Sequence, residues 1–120
     1  MMMILIVGPY RSGTGNDPRR IQKNMDRLEA MALPIFNKGH VPIIGEWVAN
    51  PLIRLAGSIE IGDAIFKQIQ YPTAHRILTK CDAVLRISGE SEGADKDVEI
   101  AKRLGLAVYY ALDEIPDADG

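Results

Sequence analysis

Four short apolar runs along the chain predict four β-strands. They are Met2–Val7, Val41–Ile44, Asp82–Ile87 and Ala107–Tyr110. The first run is continuously apolar and ends at Gly8-Pro9. Such a run is typical of a strand that is buried on both faces of a parallel sheet.

In the segments between these runs, apolar residues recur at the spacing of a helix. Asp17-Pro18 predicts the start of the first helix, with Asp17 as its cap. Its apolar positions are Ile21, Met25, Leu28, Ala32 and Ile35, and Gly39 ends the segment. Pro34 predicts a kink or an early break.

The later segments predict shorter helices. Gly45–Leu55 is interpreted as a loop that turns into a short helix. Asp63–Gln70 and Thr73–Lys80 are expected to be separated or kinked at Pro72. Ala94–Leu104 is a helix that Gly105 ends.

This alternation of strands and helices predicts an α/β fold with a parallel sheet and helices on both faces. Ligands of such sheets bind outside the carboxyl ends of the strands. Gly8–Asp17, Gly45–Asn50 and Ser88–Asp97 follow predicted strands, so they are expected to build any site. We predict one domain over residues 1–112 and a weakly held acidic tail over 113–120.

Composition narrows the function classes. The 120 residues are 47% apolar and 25% charged, with a formal charge of −2, as in ordinary globular proteins. No basic stripe and no apolar run of about 18 residues is present, so neither a nucleic acid nor a membrane is an expected partner. Cys81 is the one cysteine, which predicts a buried core residue and a cytoplasmic protein. Two histidines and one cysteine give no zinc-type ligand set, so no metal is expected.

The glycine-rich segment Gly8–Gly15 is the first candidate site. It lies between a predicted strand and a predicted helix, where backbone N–H groups favour an anion. Arg11 adds a bidentate donor, and Ser12 and Thr14 add hydroxyls. The candidate ligand-binding residues are therefore Gly8, Pro9, Arg11, Ser12, Gly13 and Thr14. A flexible turn without a ligand is the alternative.

Nucleotide-loop motifs fail in this segment. Thr14-Gly15 stands where a P-loop has lysine and a hydroxyl residue. Pro18 follows where a dinucleotide fingerprint would place its third glycine. The segment therefore indicates neither an ATPase nor a dehydrogenase, and no cofactor is expected.

The segment Ser88–Glu99 is the second candidate site, and a helical wheel separates its acids. Asp97 falls on the apolar face, whereas Glu99 falls on the opposite face. Burial would raise the pKa of the Asp97 carboxyl, while the helix N-terminus would favour its ionised form. Asp97 is therefore the candidate for chemistry. The alternative is that Asp95 and Asp97 merely complement the helix dipole, which suits Asp95 better.

Three motifs together resemble the nucleoside 2-deoxyribosyltransferase superfamily and its small relatives. They are Gly8-Pro9-Tyr10, Cys81-Asp82-Ala83-Val84 and Ser91-x-Gly93-Ala94-x-x-Asp97-x-x-x-Ala101, within Met3–Tyr110. The resemblance implies a three-layer flavodoxin- or Rossmann-like fold with four to five strands, and a homodimer or homotetramer. It also implies cleavage or transfer of the N-glycosidic bond of deoxynucleosides or their 5′-monophosphates. The family's nucleophilic glutamate falls at Asp97.

The chain departs from the family pattern in two carboxylates. Asp97 is one methylene shorter than glutamate, and Ala74 stands where the family has an aspartate. Glu46, at the end of the second strand, is our candidate for a substitute acid on position alone. Tyr10 is expected to orient the Asp97 carboxylate. His75, beside Ala74, is expected to have a surface or capping role.

Further residues complete the predicted site. Ser91 and the N–H groups of Gly93 and Ala94 are expected to hold a phosphate or sugar. Trp47 either stacks on a base or is buried against a second copy of the chain, within an apolar stretch that extends to Leu55. Asn50 and Ser88 are the remaining ligand-binding candidates.

Two functions follow from the sequence. The first is a nucleoside or nucleoside 5′-monophosphate N-glycosidase or 2-deoxyribosyltransferase that uses Asp97. The alternative is a non-catalytic module that binds a nucleotide or sugar phosphate, which the missing acid at Ala74 favours. A structural subunit without a ligand is a third possibility.

Overall fold

The computed structural model describes residues 1–118, in which four strands alternate with five α-helices. Residues 119 and 120 of the predicted tail lie outside the described residues. The elements are β1 (Met3–Val7), α1 (Pro18–Glu29), α2 (Ala32–Asn37), β2 (Val41–Ile44), α3 (Gly45–Leu55), α4 (Ala64–Leu78), β3 (Ala83–Arg86), α5 (Glu92–Arg103) and β4 (Ala107–Tyr109), followed by a 3₁₀ turn over Leu112–Glu114.

The four strands form one parallel sheet in the order β2-β1-β3-β4. Met3 of β1 pairs with Val41 of β2, and Ile4 pairs with Ala83 of β3. Ala83 in turn pairs with Ala107 of β4. The predicted α/β fold of flavodoxin- or Rossmann-like type is confirmed, with four strands.

Side chains of β1 alternate between two apolar layers, which explains why its sequence is apolar throughout. Ile4 and Ile6 belong to a core that also contains Leu28 of α1 and Ile35 of α2. The opposite face of β1 packs against α4 and α5. That second core contains Leu5, Val7, Leu78, Val84, Ala94, Val98 and Ala101.

The start of α1 and the break after it agree with the sequence. The Asp17 side chain accepts a hydrogen bond from the Arg19 N–H at 2.9 Å, as expected of a cap. Helix α1 ends at Glu29, and α2 begins at Ala32 with Pro34 in its first turn. Proline is tolerated there because first-turn N–H groups have no partner within the helix.

Prolines lie inside two of the helices. Gly45–Asn50 was expected to be a loop, but α3 begins directly at Gly45 and continues through Pro51. The expected separation at Pro72 is wrong because α4 continues through it as one helix, whereas a kink there stays a prediction. A proline inside a helix costs about 3 kcal/mol. Burial of side chains between α3 and α4 opposes that cost, chiefly Ala49, Ile53 and Phe66.

The expectation of a weakly held tail is wrong as far as Ala118. Ile115 is 1% exposed and belongs to the core on the α1 side of the sheet. The His40 Nδ1 accepts a hydrogen bond from the Met2 N–H at 3.0 Å. Its Nε2 therefore carries the proton and donates to the Pro116 carbonyl at 2.7 Å. The Ala118 N–H also donates to the Lys38 carbonyl at 2.8 Å.

The other composition-based expectations have mixed outcomes. Cys81 is buried in the core, as predicted, and burial raises the pKa of its thiol to about 11. Within residues 1–118, no helix is both long and apolar enough to cross a bilayer. Helix α3 exposes the apolar side chains of Val48, Leu52 and Leu55. Association of this face with a second copy of the chain stays a prediction.

Candidate functional site

A large cleft opens at the carboxyl ends of β1 and β3, with a volume of about 930 Å³. Its walls come from the glycine-rich segment, the first turn of α3, the middle of α4 and the first turns of α5. The cleft lies where parallel α/β sheets bind ligands, because carboxyl ends of parallel strands meet at one edge. It is therefore the candidate site.

Eleven of the fifteen residues predicted for the site line this cleft. They are Gly8, Pro9, Tyr10, Arg11, Ser12, Gly13, Glu46, Ser91, Gly93, Ala94 and Asp97. Four others, Thr14, Trp47, Asn50 and Ser88, lie outside its lining.

Local hydrogen bonds explain where three of those four lie. The buried Thr14 hydroxyl donates to the Arg11 carbonyl at 2.5 Å and accepts from the Asn16 N–H at 3.2 Å, so it holds the segment together. The Trp47 indole donates to Glu29 at 2.8 Å, away from the cleft. The Asn50 amide donates to the Tyr10 hydroxyl at 3.1 Å, so it supports a lining residue.

The Thr14 hydrogen bonds and the backbone angles of two glycines define the conformation of the glycine-rich segment. Gly13 and Gly15 have φ angles of 70° and 58°, a conformation that favours glycine. The guanidinium of Arg11 lies over the Phe66 ring, 4.8 Å from its centroid. The segment thus presents the Arg11 cation at the cleft.

Helix α5 places Asp97 in the wall of the cleft. The Ser91 hydroxyl caps the helix by accepting from the Ala94 N–H at 3.1 Å. The Asp97 side chain is 13% exposed, whereas Glu99 is exposed, as the helical wheel predicted. Burial raises the pKa of the Asp97 carboxyl to about 7, although the nearby Arg86 guanidinium lowers it.

Glu46 brings a second carboxyl group into the same cleft from the first turn of α3. Burial and the negative charge of Asp97 raise the pKa of Glu46 to about 7. The charge of Asp97 favours the neutral form of Glu46, and the Arg86 guanidinium favours the charged form of Asp97.

Tyr10 stands beside this pair. Burial raises the pKa of its hydroxyl, and the negative charge of Glu46 adds to the effect. The hydrogen bond that this hydroxyl makes within residues 1–118 comes from Asn50. Orientation of Asp97 by Tyr10 stays a prediction.

Sequence reasoning missed several residues at the site. The His75 Nε2 lies 3.7 Å from an Asp97 carboxylate oxygen, a contact that the sequence did not indicate. The expected surface or capping role of His75 stays a prediction. Burial and the positive charge of Lys96 lower the pKa of His75. The sequence feature that pointed to His75 is its position next to Ala74, where the resembling family has an aspartate. Other lining residues without a local motif are Asn24, Arg27, Gln70, Tyr71, Glu90 and Glu92.

The pH dependence of the free energy of unfolding should reveal the burial of Asp97. A carboxyl with a raised pKa in the folded state binds a proton that the unfolded chain releases, so its burial costs stability as pH rises from about 4 to 7. Relative to the unsubstituted protein, Asp97→Asn should gain at least about 1 kcal/mol between pH 5 and pH 8. Urea unfolding at both pH values measures this change. Glu99→Gln should differ in stability from the unsubstituted protein by the same amount at pH 5 and pH 8. If Asp97→Asn also differs by the same amount at both pH values, the raised pKa of Asp97 is wrong.

Comparisons with known proteins identify no relative of this chain. No family model, curated protein or solved structure matches the chain. Within residues 1–118, no group of three or more His, Cys, Asp and Glu side chains could hold a metal ion. The geometry of the cleft is therefore the basis for assigning a function.

Proposed function

We propose that this protein cleaves the N-glycosidic bond of a nucleoside or a nucleoside 5′-monophosphate, by hydrolysis or by transfer to another base. The observation that carries the proposal is the carboxyl pair, Glu46 and Asp97, buried in one polar cleft. Breaking an N-glycosidic bond needs a negative group at the anomeric carbon and a proton for the leaving base. The pair can supply both at once.

The first step uses both carboxyl groups. The Asp97 carboxylate attacks the anomeric carbon and forms a C–O bond, while the C–N bond to the base breaks. Glu46 gives its proton to the leaving nitrogen and becomes a carboxylate. A glycosyl ester on Asp97 and a free base result.

The second step returns both groups to their starting states. Water attacks the anomeric carbon, and its proton passes to Glu46. The C–O bond to Asp97 breaks, which restores the Asp97 carboxylate and releases the sugar. In transfer, the N–H of an acceptor base takes the place of water and gives its proton to Glu46 in the same way.

Cationic and backbone donors support the binding of a phosphate or sugar. Arg11 and Arg27 both line the cleft. Gly93 lies in the first turn of α5, where the helix dipole favours an anion. The Ala94 N–H, which was expected to bind the same group, instead donates to the Ser91 hydroxyl. The two arginines and the start of α5 suit the phosphate of a nucleoside 5′-monophosphate.

A non-catalytic nucleotide-binding module is the second candidate function. Ala74 packs close to Gly45, with 3.7 Å between its Cβ and the place of a Cβ on Gly45. Because residue 74 is alanine, it offers no carboxylate at the position where the resembling family has an aspartate. This observation favours a cleft that binds a nucleotide or sugar phosphate without cleaving it.

One screen separates the two functions. Nucleosides, nucleoside 5′-monophosphates and ADP-ribose are tested for thermal stabilisation, and released base is measured by chromatography. A compound present at 100 times its Kd should add about 2.7 kcal/mol of stability, a shift of several degrees. Stabilisation with base release supports the enzyme, and stabilisation without release supports the module. No stabilisation and no release would overturn both.

A further inference from the structure

The side-chain oxygen of Gln70 is an exception in an otherwise satisfied interior. Within residues 1–118, the Gln70 Oε1 is buried and has no hydrogen-bond partner. A buried acceptor without a donor costs about 1–3 kcal/mol, so such groups are rare in folded proteins. A donor on a bound ligand would satisfy this oxygen if the amide turned toward the cleft.

Gln70 lies in the wall of the cleft that holds the carboxyl pair. It projects from the middle of α4, and the cleft is also lined by Glu46 and Asp97. The terminal amide torsion of a glutamine has a broad energy profile. Rotation about it can therefore turn the oxygen toward a group bound in the cleft.

Tyr71 adds an aromatic ring beside this amide. It also lines the cleft and is 42% exposed. Its Cε1 lies 3.5 Å from where a Cβ on Gly93 would be, so the ring lies close to the first turn of α5. The Gln70 carboxamide and the Tyr71 ring thus line the same cleft as the two carboxyl groups.

This combination fits a nucleobase. A carboxamide offers one acceptor and two donor hydrogens, which complement a base edge that has an N–H beside an acceptor. An aromatic ring stacks on the face of any base. A sugar or a phosphate alone has neither the flat face nor this edge.

We infer that Gln70 and Tyr71 form the base subsite of the cleft, in which Tyr71 stacks on the nucleobase and Gln70 hydrogen-bonds to its edge. This inference rests on the proposed function, since it needs a nucleotide in the cleft. It places the scissile bond between this subsite and the donors of the glycine-rich segment. Specificity for the base then depends on α4.

Binding measurements test the subsite without requiring turnover. Calorimetry gives the Kd of the four 2′-deoxynucleoside 5′-monophosphates and of 2-deoxyribose 5-phosphate, which has no base. Gln70→Met removes the amide at similar length. It should weaken the tightest of the four nucleotides about tenfold and leave the Kd of 2-deoxyribose 5-phosphate unchanged.

Matched variants distinguish the subsite from a structural role. Gln68→Met removes an exposed amide from the same helix and should change neither Kd. Tyr71→Leu should weaken the nucleotide by about tenfold or more, whereas Tyr71→Phe keeps the stacking ring and should retain most of the affinity.

The outcomes separate this inference from the proposed function. If Gln70→Met weakens the nucleotide and 2-deoxyribose 5-phosphate equally, or weakens neither, the base subsite is wrong while the cleft still binds nucleotides. If neither a nucleotide nor 2-deoxyribose 5-phosphate binds the unsubstituted protein, the proposed function fails and the subsite fails with it.

Discussion

Asp97→Asn should lower the rate of base release at least about a thousandfold. Removal of a positioned nucleophile or proton-transfer group costs a large factor because the transition state loses the interaction that this group supplies. Asparagine keeps the size of the side chain but cannot carry the negative charge that attacks the anomeric carbon. The amide should still allow the substrate to bind, so the loss should appear in kcat.

Glu99→Gln is the matched control for this variant. It removes an acid from the same helix at an exposed position, and its rate should equal that of the unsubstituted protein. Rates are measured by chromatography of the released base, with binding followed by calorimetry. If Asp97→Asn keeps the original rate, Asp97 is not the nucleophile.

The strands were predictable from the sequence because their signal is local. Val41–Ile44 has the bounds that the apolar run predicted, and the other three strands differ by one or two residues at their ends. The central strand β1 is buried on both faces and is apolar at each position, so its sequence shows its environment. The cap at Asp17 was visible for a similar reason, since its partner is two residues away.

Elements that depend on distant contacts were not predictable. The sequence of α3 contains Pro51, which indicates a break, and only packing against α4 explains its continuity. The tail is acidic and short, yet His40, more than 70 residues earlier, holds it through the Pro116 carbonyl. Nothing in the tail's own sequence indicates this partner.

Site residues, too, were predictable only where their signal is local in the sequence. Asp97 was identifiable because helical periodicity alone places it on the apolar face of α5. Thr14 and Asn50 were misplaced because their hydrogen bonds are made within the protein, which residue type does not reveal. Gln70 was missed because α4 carries no motif around it. It reaches the site through the packing of helices.

Ile115→Ala should destabilise the fold more than any substitution of an exposed apolar residue. Its side chain is 1% exposed and completes the core formed by β1, α1 and α2. Truncating a buried isoleucine to alanine costs about 2–5 kcal/mol, because apolar burial is lost and a cavity remains. For a chain of this size, we expect the thermal midpoint to fall by about 10 °C.

Ile59→Ala provides the matched control, because the same atoms are removed from a side chain that is 94% exposed. Its stability should change by no more than about 0.5 kcal/mol. Calorimetric unfolding of both variants at one pH compares them directly. Equal midpoints would mean that the tail is not part of the core. A large loss at Ile115 alone would show that the segment after β4 acts as the last layer on the α1 face, so that the folding unit extends beyond the 112 residues that the sequence indicated.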